Sequence, residues 1–345
     1  MKNIRAYCRL LAACMLLMPW AAGAEEPERS DVDISMAGFA VQYMPVTVAV
    51  AKGYFAQEGL NAKLETFQAG GGSALEALIG GSTDAVVGYY DHTLQMQVQG
   101  KHVRCVALVD ALPGLVLAVR KDLAGEIKTI ADLKGHRVGV TELGGNSYLQ
   151  LRYLLGKAGV PVSDVTVLSV GSGATSVAAI EHKQVDALTA FEPGISMLER
   201  RGLVSSLIDA RTVEGTIAAY GSLYPSACLY TTDSFIQKNP VTVQRMVNAV
   251  SLSLAWMHGS TPEQVVAALP DKFLAGDRAT TVASVTHTKP GYPATGRFDP
   301  AVLARAADVL AASNPKVKRD AIKVDETFTN RFVDAVPAAS AAPKP

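Results

Sequence analysis

Residues 77–90 read ALIGGSTDAVVGYY, and residues 179–192 read AIEHKQVDALTAFE. Six residues separate the Ala from the Asp-Ala pair in each copy, so Asp84-Ala85 aligns with Asp186-Ala187. An aromatic follows the Asp by five positions both times, Tyr89 in one copy and Phe191 in the other. Upstream, each copy has a Gly step (Gly59, Gly159), a short apolar run and a Gly-rich loop. An α/β pattern repeated about 100 residues apart predicts two similar lobes. Two facing lobes make a cleft, and a cleft is where a small ligand goes.

Working outward, Val32–Met36 alternates as a short strand, and Pro45 opens a helix to about Phe55. Lys63–Phe67 is a second strand, and the loop 69–73 leads to a helix over 74–80 with Ser73-x-x-Glu76 as capping box. Ala85–Val87 is a third strand, and Asp91 caps a helix that ends at Gly100. Strand and helix alternate, which predicts parallel βαβ units. The second copy repeats the scheme: strand 137–140, loop 143–146, Ser147-x-x-Gln150 as a second capping box, a helix stopped by Gly159, strand 165–168, loop 171–173, and strand 187–188 ending in Phe191-Glu192-Pro193. Beyond Pro225 three helix starts share one form, Asn239-Pro240, Thr261-Pro262 and Asp299-Pro300, each an N-cap with proline at N1. The expected organisation is lobe I over 31–115 plus 225–335, lobe II over 116–224, and a disordered tail at 336–345.

Lys2, Arg5 and Arg9 precede the apolar run Leu10–Trp20, which ends in Ala22-Gly23-Ala24: a signal peptide cleaved after Ala24 and a periplasmic product. Leu11-Ala12-Ala13-Cys14 is the alternative, a lipobox that would acylate Cys14. Loss of the leader takes the 32 basic residues to 29 against 32 acidic ones, a formal charge of −3 with no basic stripe, so nucleic acid is not the expected partner. Cys105 and Cys228 remain; they are expected as buried thiols, with a disulfide the alternative that an oxidising compartment permits.

Ligands of parallel α/β sheets collect beyond the carboxyl ends of the strands. The candidate loops are 37–43, 70–73 and 89–92 in the first copy, and 141–147, 171–175 and 191–192 in the second. Gly70–Ser73 and Gly144–Ser147 lead into helix N-termini, where free N–H groups favour an anion and glycines allow close approach. Tyr89 and Tyr90, with Phe39 and Tyr43 nearby, offer flat walls, although successive strand residues face opposite sides. Glu192 could receive a cationic ligand group or a salt bridge from Arg200 or Arg201. The six histidines (92, 102, 136, 182, 258, 287) show no i, i+4 pair, and no Cys cluster, G-x-S-x-G, Walker loop or dinucleotide fingerprint occurs. Neither cofactor, metal nor catalysis is expected.

Lys52-Gly53-Tyr54-Phe55-x-x-Glu58-Gly59-Leu60, the Gly-rich loop, Gly81-x-x-Asp84-Ala85, Ile130-x-Asp132-Leu133-Lys134-Gly135 and Phe191-Glu192-Pro193 stand in order along residues 31–260. The series resembles the nitrate/sulfonate/taurine-type substrate-binding proteins of ABC importers, within the thiamine-pyrimidine-synthase-like superfamily. The resemblance implies a type II periplasmic-binding-protein fold, two α/β lobes joined by two hinge crossovers, and a monomer that delivers its ligand to a membrane permease and ATPase. It places ligand contacts on Phe39, Gln42, Tyr43, Gly71, Gly72, Ser73, Tyr89, Tyr90, Gly145, Asn146, Ser147 and Glu192, and the strand-end loops themselves add Asp91, His92, Ser172 and Phe191 as candidates. The candidate loops hold no Arg or Lys, and Tyr-Tyr-Asp-His at 89–92 is more aromatic and acidic than nitrate requires. The expected ligand is therefore a small organic one, anionic or aromatic and sulfonate- or taurine-like, with an aromatic or amino-bearing acid favoured. The rival readings are an enzyme on the same fold acting on a pyrimidine or small aromatic, and a sensor module for a membrane kinase.

Overall fold

The computed structural model describes residues 25–37, 40–67, 71–274 and 277–337. The leader with Cys14 and Ala24, the loop positions Phe39 and Gly70, and the tail from 338 onward lie outside the described residues. Among the described residues ten strands build two sheets: β1 Asp31–Ala37, β2 Asn61–Phe67, β3 Ala85–Tyr89, β4 Val103–Leu108, β5 Val116–Arg120, β6 Arg137–Val140, β7 Thr166–Ser169, β8 Ala187–Ala190, β9 Val204–Asp209 and β10 Ala227–Thr232. The orders are β2-β1-β3-β10-β4 and β7-β6-β8-β5-β9.

The repeated Asp explains why the two sheets match. Asp84 Oδ2 accepts from Asp33 N at 3.0 Å, and Asp84 N donates to Asp33 O at 2.9 Å. Asp186 does the same to Arg137, at 3.0 Å and 2.8 Å. In each copy the Asp thus pins the start of its own strand (β3, β8) to the neighbouring first strand (β1, β6), which sets the parallel register. A single added residue between the Ala and the Asp would move the clamp off register.

The parallel units expected from the sequence hold for β1–β3 and for β6–β8. The fourth strand of each sheet departs from them: β10 runs antiparallel between β3 and β4, and β5 antiparallel between β8 and β9. Each of these strands arrives by a crossing from the other unit, along residues 109–115 into β5 and 210–226 into β10. The chain therefore passes twice between the sheets, side by side.

The longer helices are α1 Met44–Ala51, α2 Gly71–Gly80, α3 Asp91–Val98, α4 Asn146–Lys157, α5 Ala174–Glu181, α6 Gly194–Arg200, α7 Val213–Tyr220, α8 Pro240–Gly259, α9 Arg278–Thr288 and α10 Pro300–Ser313. α8 packs on α1 over the first sheet, whereas α10 reaches α3 and α4 and so touches both units. One apolar cluster surrounds the first sheet, a smaller one fills the second, and a third, with Tyr90, Leu117, Leu154 and Ala306, runs through both. The N1 prolines stand where expected: Thr261 forms a full capping box with Gln264, and Asp299 accepts from Ala301 N, while Asn239 makes no side-chain cap.

Several local readings are corrected. α2 begins at Gly71, so Ser73 is its third residue rather than its N-cap. α4 begins at Asn146 with Gly145 as N-cap; the Ser147 hydroxyl turns back to Thr141, receiving its N–H at 3.0 Å. Asp91 is the first residue of α3 rather than its cap. Cys105 and Cys228 are not thiols: they form a disulfide between the adjacent strands β4 and β10.

Candidate functional site

The carboxyl end of β3 faces that of β8, and the residues after them meet. Phe191 packs on Tyr89 with ring centroids 5.2 Å apart, and Tyr43 meets Tyr89 edge-on at 6.2 Å. Pleating separates the two tyrosines, as alternation requires. Tyr89 joins this aromatic group, with its hydroxyl donating to Pro113 O at 3.3 Å on the first crossing. Tyr90 faces the core and pairs with Thr327 at 2.5 Å.

One step further, Asp91 is buried and accepts from Asn146 Nδ2 across the seam at 2.9 Å and from Gln95 Nε2 at 2.7 Å. Because a carboxylate only accepts, it fixes the direction of a chain. Asn146 turns its amide N–H to Asp91 and its oxygen to Gln150, and Gln150 accepts from Tyr220. His92 Nδ1 lies 3.0 Å from the Tyr230 hydroxyl, and its ring closes on α2: a Cβ built at Gly71 would stand 2.5 Å from it. Glu142, in the loop after β6, reaches the same turn, with its Oε1 against Gly72 and its carboxylate drawn by the Gly72 amide. Burial lifts its carboxyl above the usual range, against the pull of His92 and of that amide.

Glu192 is the most engaged side chain of the seam. It is 1% exposed and accepts from Arg211 Nη1 at 2.8 Å, Ser196 Oγ at 2.9 Å and Ser284 Oγ at 3.0 Å, with His287 Nδ1 at 3.1 Å. Burial alone would raise this carboxyl, but the bonds from His287, Arg211 and Ser196 outweigh it and hold it below the usual carboxylate range. The salt bridge expected from Arg200 or Arg201 is corrected to Arg211; Arg201 pairs with Glu181 instead. Ser284 and His287 come from α9, so this cluster ties the C-terminal third of the chain to the end of β8.

The structure thus brings Tyr43, Gly71, Gly72, Tyr89, Asp91, His92, Asn146, Phe191 and Glu192 to one seam. Gln42 lies wholly buried beside Gly114 on the first crossing, with neither amide atom hydrogen-bonded. Ser73 is half-buried in α2, Gly145 is buried as the N-cap of α4, and Ser172 sits exposed on its loop. Sequence reasoning missed Glu142, Arg211, Ser284 and His287. Glu142 had a signal, its place at the end of β6 inside a candidate loop, whereas His287 stands 95 positions from its partner and had none.

Two five-stranded α/β units, joined by paired crossings and meeting at their strand ends, define a two-lobed binding protein. The chain belongs to the NMT1/THI5-like family, which it matches over residues 40–264. It is 30% identical to a Brucella abortus protein described as a binding protein, over 67% of this chain and 68% of that one. A solved Bordetella bronchiseptica protein superposes with a TM-score of 0.85 at 33% identity, covering 90% of this chain and 98% of the other. The alkanesulfonate-binding protein SsuA of Xanthomonas axonopodis, solved with MOPS bound, superposes at 0.67 with 21% identity over 88% and 99% of the two chains. The fold is that of the periplasmic binding proteins, as the motif series implied.

Proposed function

We propose that this protein is the extracytoplasmic binding component of an ABC importer. It closes its two lobes, near 31–115 plus 225–335 and near 116–224, on a small organic ligand and hands that ligand to an inner-membrane permease and its ATPase. The observation that carries the reading is the convergence of Tyr43, Tyr89 and Phe191 from both sheets, beside a Gln42 amide that is wholly buried and unpaired. Buried polar atoms without partners in a native fold call for one, and a ligand entering between the lobes supplies it. Among the described residues no helix is long and apolar enough to cross a membrane. Of the sulfonate- or taurine-like ligands that the family resemblance suggests, an aromatic or amino-bearing acid suits this lining best.

The test is native mass spectrometry of the freshly purified protein, followed by a thermal-shift panel after unfolding and refolding. The panel spans nitrate, taurine, alkyl and aryl sulfonates, aromatic acids and amines. A bound small molecule released on unfolding, or a saturable shift without turnover, is the expected result; ligand at 100 times its Kd adds about 2.7 kcal/mol. Phe191→Ala should weaken the same ligand at least tenfold. Chemical conversion of the ligand would instead favour the enzyme reading.

A further inference from the structure

The seam is acidic at both ends. At the Glu192 end the guanidinium of Arg211 is shared among three carboxylates, Glu192, Glu199 and Asp209, at 2.6–2.8 Å. That corner keeps an excess of negative charge even with a proton on His287. At the other end stands the N-terminus of α2, whose free amides would ordinarily favour an anion. The protein fills that place itself. Glu142 crosses from the second unit to Gly72, close enough that a Cβ there would stand 2.9 Å from its Oε1 and push the carboxylate aside. Its second oxygen, Oε2, is buried without a hydrogen-bond partner. Tyr89 at the end of β3 and Asp91 and His92 at the start of α3 lead from the aromatic end of the seam to this one. The Gln42 amide, wholly buried beside Gly114, and the Tyr224 hydroxyl, buried with its ring stacked on Tyr220, also lack hydrogen-bond partners.

We propose that Glu142 sets the charge preference of the site, so that the ligand is an aryl or arylalkyl amine whose ring lies against Tyr43, Tyr89 and Phe191 and whose ammonium meets Glu142. This rests on the inter-lobe capture proposed above and narrows it. A sulfonate or carboxylate at this end would stand against the Glu142 carboxylate and find the helix terminus already occupied. In an amino-bearing acid, the amine is the end that faces Glu142. An ammonium supplies the donor that Oε2 lacks, and a cation beside tyrosine and phenylalanine faces is favoured by their quadrupoles.

Calorimetric titration of the refolded protein with three matched probes tests this: 2-phenylethylamine, 2-phenylethanol and phenylmethanesulfonate. The wild-type protein should bind the amine at least tenfold more tightly than the sulfonate. Glu142→Gln keeps the shape and an acceptor for Gly72, so its unliganded Tm should stay within a few degrees while the amine-to-sulfonate ratio falls at least tenfold. A wild-type preference for the sulfonate overturns the charge assignment and leaves inter-lobe capture standing. An unchanged ratio in Glu142→Gln overturns the role of Glu142. If none of the three binds, the amine class is wrong, and capture is then judged by the co-purified ligand. If that variant does not fold, the wild-type ratio still decides the charge class of the ligand, and Glu142→Ala, which also removes the carboxylate, decides the role of Glu142.

Discussion

Glu192 shows how much one residue can hold when it is buried with its donors already in place. Its oxygens take bonds from α6, α9 and Arg211, and Arg211 in turn gives all its nitrogens to Glu192, Glu199 and Asp209. Taking away Arg211 strands the fully buried Glu192 carboxylate without its guanidinium, whereas Glu199 and Asp209 keep contact with water. Arg211→Ala should therefore lower unfolding free energy by roughly 3–5 kcal/mol in urea denaturation. A loss below about 1 kcal/mol would show that the cluster is solvated after all. Why the sequence pointed to Arg200 or Arg201 is a matter of reach. Glu192 stands just before α6 and those arginines at its far end, a full helix length away, where both are exposed. Arg211 returns to Glu192 only because β9 runs back along the sheet, which no local spacing reveals. His287 is the titrating member: its bond to Glu192 raises its pKa above the ordinary 6.5, against burial and the charge of Arg211. The folded state thus holds this proton more tightly than the unfolded chain. The stabilisation is complete below about pH 6.5 and is lost as pH rises through the raised value. Thermal melts from pH 5 to 9 should show this decline in the wild-type protein and a flatter profile in His287→Asn. Matching profiles would remove His287 from the account.

Elements were legible where the signal was short in range. The Asp84 and Asp186 clamps each join a strand start to its neighbour, and the Asn/Thr/Asp-Pro starts mark helix ends by chemistry confined to three or four residues. The two capping boxes at Ser73 and Ser147 misled because a serine followed three places on by Glu or Gln fits any helix that has already begun. Glycines at 71 and 145 let these helices start earlier, and Ser147 is held by Thr141. The same substitution should accordingly act in opposite directions on two helices. Gly215 is the third residue of α7, its N–H bonded to Thr212 Oγ1 at 3.0 Å, and a Cβ there would meet the backbone oxygen of Asp209 at 1.8 Å. Backbone cannot yield as a side chain can, so Gly215→Ala should destabilise by at least about 2 kcal/mol. Gly156, exposed within α4, has nothing within 4 Å of that position. Gly156→Ala should stabilise by about 0.5–1 kcal/mol, because alanine leaves the unfolded chain less freedom. Chemical denaturation of the two variants side by side reads the sign directly, and a shared sign would contradict the geometry.

At the scale of the whole molecule, the duplication announced two α/β units, but which strands complete each sheet was not legible. Strands β5 and β10 carry ordinary apolar runs, and only their exchange between units, after each crossing, makes them the antiparallel members. The same exchange explains the disulfide that the sequence left open. β4 leads out of the first unit and β10 leads back in; they lie side by side, and Cys105 and Cys228 join them. The bond, between residues 123 apart in sequence, closes a loop that holds the entire second sheet. On chain-entropy grounds, a loop of that length adds up to about 5 kcal/mol by restricting the unfolded state. Ligand affinity should respond far less, since the strands remain paired by their backbone ladder when the sulfurs part. Urea denaturation with and without a phosphine reductant, beside a Cys105→Ser/Cys228→Ser double variant, should give two coinciding, destabilised curves. The unfolded, unreduced protein should meanwhile show no reactive thiol at either position. Two free thiols there, or equal stability in all three samples, would show that the strands are held by the sheet alone, and that the crossings need no covalent tie to stay side by side.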